Sequence, residues 1–480
     1  MSMLAQSHAG AAVAPRAVAL DALRGFAILT MVLSGTVPYG VLPAWMYHAQ
    51  IPPPAHKFDP TLAGLTWVDL VFPFFLFSLG AAIPLALTRR LERGMSPWQA
   101  GATGFKRGAL LAFFAFFEAH LNPFALSKEP GVVHYLAGLS AFALMFAIFA
   151  RLPEKWPAAL HWTIRAVGWA GAVALLVWAR YPDGSGFSLK RSNIILLVLA
   201  NVVTTGVLVW LLTRNRQLWR FGLLLIGLGI HLARYKPGWV FDLTQLTPAP
   251  WLFEPRFQKY LFIVIPGMIA GEELEAWMRQ RGSASDGPLP LSRLRLWLVA
   301  SLAAMIVLVN LVGLQARWVE ATVCLNAALC GAGCLLLRPA AGATGRLIRT
   351  VFLWGVFWLM LGMVLEPYQG GIKKDHATLS YYFVTSGLAC IVLVGFTVFG
   401  DVLGCRRWLA LLSDNGQNPM MAYVGNAFFI APLLGLTGLG ALLTRITPGP
   451  WPGALRGLII TLLVGLMVMV FTRLRVFWRT

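Results

Sequence analysis

Acidic side chains are scarce in this chain: 19 Asp and Glu stand among 480 residues, and the whole charged fraction is 12%, about half that of an ordinary soluble protein. Together with 58% hydrophobic residues and a mean hydropathy of +0.70, the shortage excludes a soluble globular enzyme and indicates a polytopic membrane protein. Cysteine is scarce too. The five thiols, Cys324, Cys330, Cys334, Cys390 and Cys405, lie in or beside late apolar runs without CxxC spacing, so neither a disulfide framework nor a zinc site is indicated. No Walker-type loop, GxGxxG after a strand, HExxH or GxSxG occurs, which removes the common nucleotide-binding, metalloprotease and hydrolase signatures. No small-residue cleavage signature follows the first apolar stretch, which therefore reads as a retained helix. The lack of a strong internal repeat weakens a transporter built from inverted repeats.

What the chain does have is basic charge, 39 Lys and Arg for a net +20. These residues sit mostly in short loops between apolar runs, without the aromatic interleaving of a nucleic acid platform. They read as topology determinants, and nucleic acid is not an expected partner.

A membrane helix needs about 20 mostly apolar residues. On that rule spans fall near 17–37, 66–87, 106–122, 131–150, 163–179, 192–213, 218–233, 258–274, 294–314, 318–337, 348–365, 379–399, 408–436 and 454–472. The expected fold is an all-α polytopic integral membrane helix bundle of roughly 11–14 transmembrane helices with no soluble domain. The segment 408–436 opens with the polar DNGQNP and is expected to enter broken or re-entrant. If every span crosses, a cytoplasmic N-terminus places more basic residues in inside loops than outside, including Arg89, Arg90, Arg93, Lys106 and Arg107. Residues 1–16 then form a short cytoplasmic N-terminus and 17–475 a single transmembrane domain.

Ionisable residues kept in or beside spans mark candidate sites, because each costs roughly 2.5–3.5 kcal/mol at a membrane helix centre on insertion scales. Asp21 and Arg24 in ALDALRGFAIL are three apart on one helical face. They form either an orienting charge pair, which spacing alone prefers, or a receiver for the phosphates of a nucleotide-like ligand. The first outer loop, PAWMYHAQIPPPAHKFDPTLAGLTWVD, offers His48, His56 and Asp69. An imidazole is the usual base near neutral pH, and an aspartate that accepts one ring N–H leaves the other nitrogen free. The plain alternative is wet loop histidines, with Asp69 as a helix cap behind Thr66. Glu118 and His120 in FFEAHLNP, with His134 after them, line a cavity or meet interfacial water. In EPYQGGIKKDHATLSYYFVTSG, Gln369, Lys373, Lys374, Asp375 and His376 precede a span. Lysines there suit a polar or acidic ligand, with a solvated turn as the competing account. Asn415, Gln417, Asn418 and Tyr423 in DNGQNPMMAYVG either bind hydroxyls or cap a broken helix.

The ordered set ALDALRGFAIL, a histidine in the following outer loop, GLTWVDLVFPFFLFSLG, and the late GGIKKDHATLSYYFVTSG with NPMMAY resembles the heparan-alpha-glucosaminide N-acetyltransferase family and its bacterial relatives, within the transmembrane acyltransferases. DLVFPFFLF is the most specific piece. The resemblance implies an enzyme that takes an acetyl group from cytosolic acetyl-CoA and delivers it to an extracytoplasmic glycan or amino sugar, with a loop histidine as the catalytic residue and no metal. Here the loop is longer than the family pattern and offers two histidines. His48 keeps the local His-Ala context and is preferred; His56 keeps the closer spacing to Asp69. Asp69 would orient the imidazole. Asp21, Arg24, Lys106 and Arg107 would hold the coenzyme phosphates at the inner face. Glu118, His120, Gln369, Lys373, Lys374, His376 and Asn418 are the candidate acceptor-binding residues. A bacterial inner membrane and membrane lipids as partners follow from the relatives, and a homodimer is compatible with them. The competing class is a transporter or flippase for a sugar or lipid-linked glycan; a noncatalytic export subunit is a weaker third.

Overall fold

The computed structural model describes residues 17–234, 236–280, 289 and 291–479; the N-terminal segment 1–16 lies outside them. The long helices are α1 (Val18–Ser34), α2 (Trp67–Glu92), α3 (Pro97–Leu121), α4 (Val132–Phe149), α5 (Ala158–Trp178), α6 (Ile194–Thr213), α7 (Gln217–Ala233) and α8 (Leu261–Gln280). They continue as α9 (Arg293–Gln315), α10 (Val319–Leu337), α11 (Gly342–Val364) and α12 (Leu379–Phe396). A broken pair, α13 (Ala410–Gln417) and α14 (Pro419–Gly425), precedes the last helix, α15 (Pro450–Arg473). Each of the fourteen apolar segments thus meets helix, and no strand is assigned among the described residues. Among the described residues, ten helical stretches are long and apolar enough to cross a membrane. The chain is an all-α polytopic membrane bundle. Outside the ten, α1 and α7 have 17 residues each, while α3 and α8 carry ionisable side chains such as Arg107 and Glu272 within their length.

Contacts between loops test the crossing pattern, because segments that touch at one face must be separated by an even number of crossings. The loop after α1 meets the loop after α11: Gly64 N donates to Ile372 O at 2.9 Å, and His48 pairs with Asp375. At the other face Arg279, at the end of α8, pairs with Glu92, at the end of α2, at 2.5 Å. Arg151, just past α4, donates its N–H to Phe477 O past α15 at 2.8 Å. All three contacts fit the sequence-derived crossings, with the segment 410–436 counted as one.

Helix α13 stops at Asn418, whose backbone leaves the helical region (φ −125°, ψ 53°), because a residue before proline disfavours it. The Asn418 side chain is fully buried. It donates to Thr472 Oγ1 (2.9 Å) and Val476 O (2.8 Å) and accepts from Trp478 N (3.0 Å), which fastens the C-terminal tail under the break.

Small residues let α2 lie close to α8, as is common where membrane helices cross. A Cβ on Gly80 would fall 2.1 Å from Val264 O, and one on Gly267 or Gly271 would fall 2.2 Å or 2.3 Å from Phe77 O or Ala81 O. Each obstacle is backbone and cannot rotate away. Gly267→Ala should therefore push α8 off α2 and cost about 1–3 kcal/mol or more by overpacking, read as a lowered thermal midpoint in detergent; an unchanged midpoint would refute this account of the crossing.

Candidate active site

Helix α2 begins at Trp67, and Asp69 occupies its first turn, fully buried. One carboxylate oxygen, Oδ2, accepts from Thr66 N (3.0 Å) and Ala49 N (3.2 Å), so the helix start and the histidine loop are tied to one group. Tyr381 on α12 donates its hydroxyl to Asp69 O at 2.8 Å. The other oxygen, Oδ1, is buried without a hydrogen bond; His48 Nδ1 lies 3.5 Å from it and Lys374 Nζ 3.9 Å.

The His48 ring, 13% exposed at its side chain, is held on both nitrogens. Gln50 N donates to Nδ1 at 3.0 Å, so Nδ1 carries no proton and the neutral ring bears its hydrogen on Nε2. That N–H faces Asp375 Oδ2 at 3.1 Å. The Gln50 side chain also clamps the Asp375 backbone, accepting from its N–H at 2.8 Å and donating to its carbonyl. The hydrogen bond from His48, with Lys374 and Lys259 nearby, holds the Asp375 carboxyl below the usual carboxylate range against the opposing effect of burial. The pairing is therefore in place above that range and is lost as pH falls through the lowered value.

The arrangement differs in detail from the spacing-based expectation. Asp375, not Asp69, takes the ring N–H, and Asp69 faces the unprotonated nitrogen that accepts from Gln50 N. His56 stands apart, its ring against Tyr39 (4.3 Å between centroids) and Tyr47 (4.7 Å). His376 is exposed. Gln369 turns to His231, with Nε2 to Nε2 at 3.2 Å, while its Oε1 accepts from Leu379 N. The backbone N–H of Lys373 donates to Thr378 Oγ1 at 3.1 Å.

Beneath Asp69 a cavity enters the bundle, enclosing about 950 Å³ including its open mouth. Phe72, Phe75, Leu79 and Ala82 of α2 line it, a stripe rising about 15 Å at 1.5 Å per residue that starts one turn from Asp69. Arg24, Arg107 and Arg479 also line the cavity. Arg24 lies 3.6 Å from Asp21 and donates to Gly416 O (3.1 Å) and Ser78 O (3.4 Å). Lys106 is exposed and is not part of the wall. Tyr423 lines it as well, and Asn193 donates to both Tyr423 Oη and Glu118 Oε2 at 2.7 Å, so Glu118 sits just behind the wall. His120 is further off: its Nδ1 donates to Phe116 O of its own helix at 2.7 Å and its Nε2 accepts from Ser188 N at 3.1 Å, which commits one nitrogen to α3 and the other to the loop before α6. Asn418 is similarly committed to the tail.

Asp375, named in the sequence only as one member of a polar segment before a span, becomes the partner of His48, and Gln50 and Arg479 join the site without having been singled out. Gln50 was visible in the sequence as a near neighbour of His48. Nothing in the sequence signalled Arg479, which reaches the cavity because the tail folds back under α4.

The profile of a family described as "Domain of unknown function (DUF5009)" matches residues 16–274. The chain is also similar to heparan-alpha-glucosaminide N-acetyltransferase of Homo sapiens, 33% identical over 153 residues; that stretch is 30% of this chain and covers 21% of the human protein, about a fifth of its length.

Proposed function

The chain belongs to the DUF5009 family, and from that premise, its similarity to an N-acetyltransferase and the site geometry we propose that it is a transmembrane acetyltransferase. It takes the acetyl group from acetyl-CoA on the cytoplasmic side and passes it to an amino or hydroxyl group of a sugar outside. The observation that carries the reading is the buried, unbonded Asp69 Oδ1 lying 3.5 Å from the unprotonated Nδ1 of His48, which accepts from Gln50 N. A buried acceptor without a donor is costly. It gains one when Nδ1 takes a proton and gives up the Gln50 N–H, so the pair can receive the proton that a general base removes.

In this reading Arg24, Arg107 and Arg479 hold the phosphates of the donor, and the apolar stripe on α2 takes its pantetheine arm. The cavity is at the upper end of the size of ligand pockets. His48 Nδ1 removes the proton from the acceptor as its nitrogen or oxygen attacks the thioester carbonyl, the C–S bond breaks, and the proton returns to the thiolate. The alternative, in which Nδ1 itself attacks and carries the acetyl group, uses the same nitrogen. Asp375 keeps Nε2–H in place, and Lys374 and Lys373 stand beside the acceptor. The domain as a whole, from residue 17 to 475, would act as one unit in a bacterial inner membrane, with the N-terminus in the cytoplasm.

Proteoliposomes test both activity and orientation. With radiolabelled acetyl-CoA confined to one face and an amino sugar to the other, label should appear on the sugar only when the coenzyme faces the Arg107 end of the protein. Sugar crossing without acetylation would instead support a transporter, and no product in either orientation would end the transferase reading.

A further inference from the structure

Helix α7 buries only Arg220, Leu224 and His231, and Ile226 is 61% exposed. Between α7 and α8 runs a cleft enclosing about 820 Å³, whose walls include Leu224, Gly227, Phe262 and Ile265. Its polar end holds Arg234, Arg256 and Lys259, which lie where α7 ends and α8 begins. By the crossing pattern this is the face that carries His48. Glu254 pairs with Arg256 at 2.7 Å and Asp375 also neighbours Lys259, so three basic side chains gather there with two carboxylates.

Cations at a helix end can simply reach for the interface, but these line the end of an apolar trough open toward the hydrocarbon. A neutral chain would have no use for the cations, and a soluble anion none for the trough. A phosphate carried on a long apolar chain matches both. The cleft also adjoins the active site. Asp375 is among the electrostatic neighbours of Lys259, and His231, in the cleft wall, meets Gln369 of the loop that carries Asp375.

We infer that this cleft binds a lipid phosphate whose headgroup carries the acceptor sugar: the chain lies between α7 and α8, the phosphate sits at Arg234, Arg256 and Lys259, and the sugar reaches His48. The assignment of the sugar as acceptor rests on the acetyltransferase reading, whereas binding of the lipid phosphate does not.

The test uses the full chain in nanodiscs of phosphatidylcholine, with a long-chain isoprenyl monophosphate as probe and binding read by native mass spectrometry. A Cβ at Gly227 meets Phe262 only at an ordinary 3.7 Å, and one at Gly229 meets nothing within 4 Å, so larger side chains at both positions fit the fold. Gly227→Leu, which fills the cleft, and Lys259→Gln should each weaken binding at least tenfold, while Gly229→Leu leaves it unchanged. Equal binding by Gly227→Leu and wild type, equal binding of the isoprenyl alcohol, or displacement by equimolar inorganic phosphate or phosphatidylglycerol would overturn the inference. Acetyl transfer to an amino sugar, offered both free and linked to the isoprenyl phosphate and measured on the same variants, reports the acetyltransferase reading separately: its absence with both acceptors alongside intact lipid binding would sink that reading and leave the cleft assignment standing.

Discussion

Replacing His48 with alanine should lower acetyl transfer by about 10³-fold, in the range that a positioned general base supplies, with the thermal midpoint nearly unchanged. The ring is small, lies in a loop at the bundle mouth and packs against no core aromatic, so its loss removes chemistry rather than support. His56→Ala is the internal comparison. Its ring fills a gap between Tyr39 and Tyr47, so the variant should lose some stability in that loop and keep most of its turnover. Asp69→Asn separates charge from shape: the amide oxygen can keep the capping bonds of Oδ2, while an uncharged NH2 donor replaces the carboxylate oxygen that faces Nδ1. A fall in kcat with little change in donor KM is expected. Full activity of His48→Ala, or loss on His56→Ala that exceeds it, would exclude the role given to His48.

Arg107→Gln should raise the KM for acetyl-CoA by about 10–100-fold, the equivalent of one charge-assisted hydrogen bond of roughly 1.5–3 kcal/mol, and should leave kcat within a few-fold. Arg107 is a cleaner probe than Arg24, which also fastens α1 to Gly416 and Ser78. Lys106→Gln, one residue away but exposed on the other face of α3, should change neither constant. Steady-state kinetics on the three proteins decide the matter: parallel behaviour of Arg107→Gln and Lys106→Gln would move the donor phosphates out of this cavity.

The helix positions were legible because a span is a local property. Twenty apolar residues in a row must pair their backbone groups within the segment, whatever surrounds it, and each of the fourteen runs meets helix. The break at Asn418 was visible for the same reason, since an Asn-Pro step interrupts a helix through its own sterics. Individual partners were less accessible. His48 and Asp69 share a loop and a helix start, so their proximity follows from short range. Asp375 lies more than three hundred residues further along the sequence, and its hold on Nε2 exists only because α12 packs against α2 and carries its preceding loop over the histidine. Lys106 and Arg107 are indistinguishable by composition, and only the rotation of α3 turns one into the cavity and the other outward.

The sequence by itself determined the class, the helix positions and the short list of ionisable residues, because hydrophobic burial and the cost of charge in a membrane act on each segment independently. Tertiary structure alone decided which members of that list meet. It set His48 between two carboxylates, committed His120 and Asn418 to holding loops and tail, and brought Arg479 from the far end of the chain under Arg24 and Arg107. Those outcomes depend on helix rotation and close glycine contacts between segments distant in the chain, and no local pattern encodes them.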